Sequence, residues 1–298
     1  MPSFVEAFRR SVFKMPLRTP SRLHGTAIVR RPSKLLNLGL VTHIQKEEVD
    51  YTKALEQWHQ YGDAFRSAGW KVVEIEGAST PDSVFIEDAM VIFGEQGGIV
   101  TRPGAEERRP ETDDLEIFLD DAGFKDVPIR RVIPPAELDG GDVMKIGRNV
   151  FVGRGGRTNE VAIHQLQSLL GDEYNVISVP MNNALHLKSA CTALPDGTII
   201  YWPPAFDDRG LGLAAVRAAH TGRMIEALEE PGAHVVNLGP NTVLMSSSAI
   251  ATPVMLQRDM GLEVVCVPMS EYEKLEGCVT CLSVRIRDGQ SELKRGSI

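Results

Sequence analysis

The sequence predicts an α/β fold assembled from five similar units around a central axis, and two observations carry that prediction. Short β-rich runs alternate with helical stretches along the whole chain, the pattern of a mixed α/β protein with many short strands. Within it one arrangement recurs: a strand ends in a short loop and is followed by a second apolar run carrying an unusual polar residue. It occurs as "VVEIE" before "VFIEDAMVIF", "RRVIPP" before "LDGGDVMKIG", "VISVP" before "LHLKSACTAL", "HVVNL" before "NTVLMSS", and "VVCVP" before "CVTCLSV". The polar positions include Glu87 and Asp88, Asp139 and Asp142, His186, and Cys281. If each unit is one segment of a pseudo-fivefold ring, these residues converge at its centre. The units are unevenly spaced, so repetition alone only suggests the architecture.

The elements follow in order. "AIV" opens the β-rich runs, and a helix is expected over about 47–67, where Tyr51, Leu55, Trp58 and Phe65 recur near helical spacing behind Glu47 and Glu48 and before Gly69. Strands are expected at "KVVEIE", "VFIED", "AMVIF" and "GGIVT", then a helix over about 111–122 and a strand at "VIPP". "NVFVG", a helix over 159–170, "NVISVP" and "GTIIYW" come next. A helix over 211–229, strands at "AHVVNL", "NTVLM" and "EVVCVP", a short helix over 270–275 and a strand at "CLSVRI" complete the chain.

No composition shift or Pro/Gly/Ser-rich linker divides the 298 residues, which suffice for a substantial core; residues 26–298 read as a single domain. Residues 1–25 read as a basic N-terminal extension, with Arg9, Arg10, Lys14, Arg18 and Arg22 against Glu6 alone. No run approaches the length of apolar residues a membrane span needs, and the N-terminus lacks the apolar core of a secretion signal, so a cytoplasmic protein without a membrane partner is expected. The formal charge of −8 and the lack of a basic stripe argue against nucleic acid and leave a cationic small molecule as the more natural ligand. A homodimer is compatible with the sequence without being specified by it.

Cys191, Cys266, Cys278 and Cys281 are too few for a disulfide framework and read as thiols. Cys281 is the strongest potential nucleophile, but a thiol near its ordinary pKa of about 8.5 is only slightly ionised at neutral pH and needs help from a nearby histidine or cation. The common alternative is that it packs as a small hydrophobe, which Cys191 and Cys266 are expected to do. The Cys278-x-x-Cys281 pair is a weak metal motif, because no second ligand pair stands at comparable spacing; no metal is expected. His186, between two leucines, reads either as a core histidine bonded to a backbone carbonyl or as the partner of the thiol. Glu87, Asp88, Asp139 and Asp142 lie among apolar residues, and burying unpaired carboxylates costs several kcal/mol, so something cationic should sit among them. Lysines and arginines of the chain would satisfy that need as well as a ligand would. "LDGGD" can also be a tight turn, with Gly140 and Gly141 allowing positive φ and Asp142 structural.

The segments "VFIEDAMVIF", "TRPGAEERRPE", "LDGGDVMKIG", "FVGRGGRTNE", "LHLKSACTALPDGT" and "MSEYEKLEGCVTCLSV" together resemble the dimethylarginine dimethylaminohydrolase family of the guanidine-modifying enzyme superfamily, from Gly25 to Arg287 in the same order. The resemblance implies a five-bladed α/β propeller (pentein) of pseudo-fivefold ββαβ repeats. It implies hydrolysis of Nω,Nω-dimethylarginine and Nω-monomethylarginine to citrulline and the methylated amine, without a cofactor. Cys281 resembles the nucleophile and His186 the general acid/base. Asp88 and Asp139 match the acids that contact the guanidinium, with Asp82 and Glu87 supporting them. Arg108 and Arg157 resemble the pair that holds the substrate α-carboxylate, a task suited to the planar guanidinium fork. In "LNLGLVTHIQK" the flap leucine aligns with Val41, with Leu40 adjacent, and Glu276 stands where the backbone binds the substrate amino group. Residues 203–232 match no motif of the family. An arginine deiminase-type hydrolase and a catalytically silent methylarginine-binding protein are the alternatives.

Overall fold

In the computed structural model, which describes residues 24–113, 115, 119 and 128–287, the strands form five three-stranded sheets. Strands β1 (Gly25–Arg30) and β2 (Lys71–Ile75) belong to the first. The second holds β3 (Met90–Ile92), β4 (Gly98–Val100) and β5 (Ile129–Arg131). The third holds β6 (Val143–Ile146), β7 (Asn149–Arg154) and β8 (Asn175–Pro180). The fourth holds β9 (Cys191–Ala193), β10 (Ile199–Tyr201) and β11 (Met224–Glu226). The fifth holds β12 (Val236–Asn237), β13 (Thr242–Ser246) and β14 (Glu263–Val267). The last strand, β15 (Val284–Arg287), returns to the first sheet and pairs with β1, Gly25 opposite Arg287 and Ile28 opposite Val284.

Every sheet has one design. The first strand of the unit runs antiparallel to the second, and the second runs parallel to the third, as in β6–β7 and β7–β8. A parallel neighbour requires a crossover, and a helix supplies it. Helix α1 (Tyr51–Ser67) links β1 to β2, and α2 (Glu160–Leu170) links β7 to β8. Helix α3 (Leu211–Ala219) precedes β11, and α4 (Thr252–Met260) precedes β14. Between β4 and β5, Leu115 and Leu119 are helical and buried; most of the helix expected over 111–122 lies outside the described residues, as does nearly all of the basic extension.

The helices start and stop where local chemistry requires. The Asp50 carboxylate accepts from Lys53 N at 3.1 Å and caps α1, and the Asn159 side chain does the same for α2 through Ala162 N at 2.9 Å. Ala54, Trp58, Tyr61 and Phe65 form the buried stripe of α1. Each fully buried large side chain of this kind contributes about 1.5–3 kcal/mol, more than the few tenths that separate most helix propensities, so packing decides the helix. The core follows the repeat: buried apolar residues fall into five clusters between sheets and helices.

Several expectations are corrected. The quoted strand pairs straddle neighbouring sheets, as β2 and β3 do, except for "HVVNL" and "NTVLM", which are the hairpin β12–β13 inside one sheet. The helix expected over 211–229 ends at Ala219, and Met224–Glu226 is a strand in parallel register with Ile199–Tyr201. Helix α4 was not foreseen, although Pro253 in its first turn and Gly261, with φ 66, just beyond it mark both ends. "VIPP" is not a strand. "VFIED" and "LHLKS" are not strands either; they form tight turns, Ile86–Ala89 and Leu187–Ser189. The "LDGGD" turn, Gly140–Asp142, lacks positive φ. Its glycines serve close approach instead: a Cβ on Gly141 would stand 2.6 Å from both Asp88 Oδ1 and His186 Nδ1.

Candidate active site

The tight turns lead into the first strands of their units: Ile86–Ala89 into β3, Gly140–Asp142 into β6, Leu187–Ser189 into β9, while residues 278–282 lead toward β15. They meet at the ring's centre, where their neighbouring side chains divide between two cavities. A small cavity of about 20 Å³ is lined on one side by Asp88, His186 and Cys281, together with Leu40, Asp82, Phe85, Arg108, Arg157, Leu185, Leu275, Glu276 and Gly277. Across the turns a cavity of about 540 Å³ is lined by their neighbours Glu87, Lys188 and Thr280.

His186 is almost fully buried and carries the strongest organisation. Its Nε2 lies 3.0 Å from Asp139 Oδ2, and its Nδ1 lies 3.8 Å from Asp88 Oδ1. Burial works to lower its pKa, but Asp88, the hydrogen bond to Asp139, and Asp142 outweigh burial and raise it to about 9. The acids around it therefore favour the doubly protonated imidazole at neutral pH. For Asp88, burial favours the neutral acid, yet His186 and Arg108 hold its carboxyl at about 2. Asp142 accepts from Thr158 Oγ1 at 2.6 Å and from Leu187 N at 2.9 Å, which anchors the histidine turn; its burial pushes the carboxyl up to about 6.

Cys281 Sγ stands 3.5 Å from Cys278 Sγ and accepts from Cys278 N at 3.4 Å. A thiol that donates to a neighbouring thiolate favours the first ionisation of the pair and opposes the second. Accordingly the Cys278 side of the pair is lowered to about 5 through its bond to Cys281, and Cys281, bonded to Cys278 and buried, is raised. The first negative charge the pair takes up is thus shared between two sulfurs. The carboxylates of Asp88 and Glu87 oppose placing it on Cys281, so a cation bound between Asp88 and the sulfur would draw it there.

The other expected residues distribute unevenly. Asp139 is fully buried behind His186, not on the cavity wall; Gly104 N donates to its Oδ1 at 2.9 Å. Its second oxygen, Oδ2, faces His186 Nε2 and not the cavity. Glu87 faces the far side, where Arg285 Nη2 and Lys188 Nζ each contact its Oε1 at 2.6 Å, so it is not among the acids of this cavity. Arg108 lines the cavity with its fork already filled: Nη1 to Asp88 Oδ2 at 2.7 Å, and Nε and Nη2 to Glu111 Oε2 at 3.1 and 2.8 Å. The partner Glu111 was not foreseen from the sequence, although it lies three residues on in the same turn, Glu106–Thr112. Arg157 Nη1, by contrast, is buried without a hydrogen bond, 3.8 Å from Asp139 Oδ2.

Over the opening, Leu40 lines the cavity, while the flap position assigned to Val41 packs into the core cluster around Trp58. The Asp82 carboxylate accepts from Leu40 N at 3.2 Å. Glu276, strained at φ 59, accepts from Thr42 N at 2.7 Å and His43 N at 2.6 Å through its side chain. That side chain fastens the flap, a use the expected backbone role did not include. A cavity of about 20 Å³ holds about one water, far less than an amino acid. An outer cavity of about 420 Å³, sharing Leu185, Glu276 and Gly277 with the inner one, forms the vestibule.

Asp88, Asp139 and His186 come close enough to hold a cation, with potential ligand atoms within 4.8 Å of one another. The charged imidazole and Arg108 already balance these two carboxylates, which disfavours a metal there.

Residues 41–200 match the family model for eukaryotic N,N dimethylarginine dimethylhydrolase. An N(G),N(G)-dimethylarginine dimethylaminohydrolase of Streptomyces coelicolor is 48% identical over 266 residues, covering 88% of this chain and 97% of that protein. The chain belongs to the dimethylarginine dimethylaminohydrolase family. A Pseudomonas aeruginosa member is 30% identical over 87% of this chain and 98% of its own. The crystal structure of the Pseudomonas enzyme as a mutant complexed with citrulline superposes with a TM-score of 0.76 at 26% identity, covering 89% of this chain and all of that one. The pentein fold anticipated from the family motifs is therefore the fold of this chain, and the chain is a hydrolase acting on an amidino group.

Proposed function

We propose that the chain hydrolyses Nω,Nω-dimethyl-L-arginine and Nω-monomethyl-L-arginine to L-citrulline and the methylated amine, with Cys281 as nucleophile and His186 as acid and base. The observation that carries the assignment of roles is the convergence of Cys281, His186 and the Asp88 carboxylate on one cavity, with the acids around His186 favouring its charged form. A substituted guanidinium is a poor electrophile, so a site for it must fix its charge and aim a nucleophile at its central carbon. Asp88 pairs with the cation, which in turn favours the thiolate on Cys281. The thiolate attacks the central carbon to give a tetrahedral adduct. His186 donates its proton to the leaving nitrogen as the C–N bond breaks, because an amide anion cannot leave at neutral pH. The now neutral imidazole takes a proton from water as that water attacks the planar thiouronium, and the C–S bond breaks to release citrulline. Asp139 holds the ring throughout. Arg157, with an uncommitted Nη1, binds the substrate α-carboxylate; Arg108 secures Asp88 and Glu111.

In this reading residues 26–298 act as a single domain in the cytoplasm, with a cationic methylated arginine as partner. Parallel incubation with dimethylarginine, monomethylarginine and arginine, measuring citrulline and the released amine, tests the function. Dimethylamine from dimethylarginine is the expected product, and citrulline formed only from arginine, with ammonia, overturns the assignment. Full turnover retained in Cys281→Ser excludes the proposed thiolate chemistry.

A further inference from the structure

The larger cavity behind the ring of turns is not used by this chemistry, and its lining is electrically unbalanced. Lys145 on β6, Lys188 in the turn before β9, and Arg285 and Arg287 on β15 all reach it. Arg285 and Arg287 are two residues apart on one strand and so share a face. Against these four cations stands one lining carboxylate, Glu87, contacted by both Lys188 and Arg285 through the same oxygen. Its second oxygen, Oε2, is buried and has no hydrogen-bond partner.

Lys145 and Arg287 have no carboxylate within ion-pair distance among the described residues. The Lys145 ammonium bonds to the Ile92 carbonyl oxygen and lies 5.0 Å over the Phe93 ring; Arg287 Nη2 donates to Asn237 O at 3.0 Å, with its guanidinium 5.3 Å over the Trp70 ring. These are the substitutes cations find when no acid is at hand. We propose that this cavity is a binding site for a phosphate-type oxyanion, free or carried on a small organic molecule, held between Lys145, Arg285 and Arg287. The Arg287 guanidinium and the Lys145 ammonium, arriving from two sheets, suit a tetrahedral oxyanion with several charged oxygens, and Arg285, whose Nη atoms already donate to Glu87, Thr280 and Ser283, adds its charge beside them. The cavity's volume of about 540 Å³ lies in the range of small-molecule sites, and Val143, Val235, Val236 and Leu238 offer apolar wall to an organic portion.

The protonation of the cluster supports this. Burial and the neighbouring Lys188, Arg285 and Arg287 push Lys145 down to about 7 against the pull of Glu87, and burial and Arg285 push Arg287 down to about 10. His24 is the remaining titratable group on the wall. An anion seated there would restore the proton to Lys145, so binding above neutral pH should take up protons.

Isothermal titration of the full chain with inorganic phosphate and with adenosine 5′-monophosphate at pH 8, in two buffers of different ionisation enthalpy, tests the site. The expected result is saturable binding with proton uptake, weakened at least fivefold in Lys145→Met and in Arg287→Gln, with the uptake lost in Lys145→Met. Tighter binding of the monophosphate would identify an organic phosphate as ligand, and equal binding the oxyanion alone. Cooperative thermal unfolding shows which variants are folded. The absence of binding to wild-type protein up to about 10 mM of either probe overturns the proposal, as does binding unchanged in a folded variant.

Discussion

His186 is nearly surrounded by acids, and that arrangement sets the pH range of the proposed chemistry. Its pKa is raised, to about 9, so the protein's preference for the charged ring contributes to folding fully below the ordinary value near 6.5 and is lost as pH rises through about 9. The same titration removes the proton the leaving amine needs. Activity as kcat/KM is expected to decline on the alkaline side near pH 9. Asp139→Asn removes the charge bonded to Nε2, so the ring should titrate at lower pH, moving the alkaline limb down, with kcat/KM lower on the order of 10²–10⁴-fold. Rate measurements from pH 6 to 10 on both proteins check this, and an unmoved limb would show that Asp139 does not set the histidine. At this scale the sequence was informative about which residues matter and less so about which way they face. Adjacent positions such as Glu87 and Asp88 carry the same side chain chemistry, and only the turn that holds them sends one to each cavity.

Single turns carry the active groups, and these elements were the least legible in the sequence. "VFIED" ends an apolar run in two acids and "LHLKS" alternates apolar with polar residues, so both read as strand, yet each forms a tight turn with Glu87, Asp88 and His186 buried. Longer elements with caps and stripes, such as α1, were read within a few residues. The flap shows a different limit. Its contact with Glu276 joins residues 234 positions apart, which no local pattern records. Glu276→Ala removes the acceptor for Thr42 N and His43 N and leaves a strained backbone position without its compensation. We expect faster amide hydrogen exchange across residues 40–44 and a KM raised about tenfold or more, with kcat less affected, because the flap fastens substrate in place without touching the reacting atoms. Exchange rates equal to wild type would mean that the Asp82 bond to Leu40 N holds the flap alone.

The ring as a whole is closed by one antiparallel pairing, β1 with β15, so the first and last described strands complete the same sheet. Four of the five sheets take their three strands from one continuous stretch, although the strand pairs that repeat in the sequence mostly straddle two of them. The fifth joins the two ends of the chain, which repetition cannot show. The closing strand also follows directly on the Cys281 turn and supplies Arg285, which donates from Nη1 to the Thr280 and Ser283 carbonyl oxygens on either side of Cys281. Loss of β15 would leave β1 with β2 as its only partner and uncover the apolar cluster that holds Ile28, Ile86 and Val284. The exposed edge and apolar surface favour association over folding. Truncation after Ser283 is therefore expected to abolish cooperative thermal unfolding and near-ultraviolet circular dichroism, whereas truncation after Arg287 retains both. If the shorter chain unfolds cooperatively at the wild-type temperature, the sheets are stable without closure, and the position of Cys281 depends on its local turn alone.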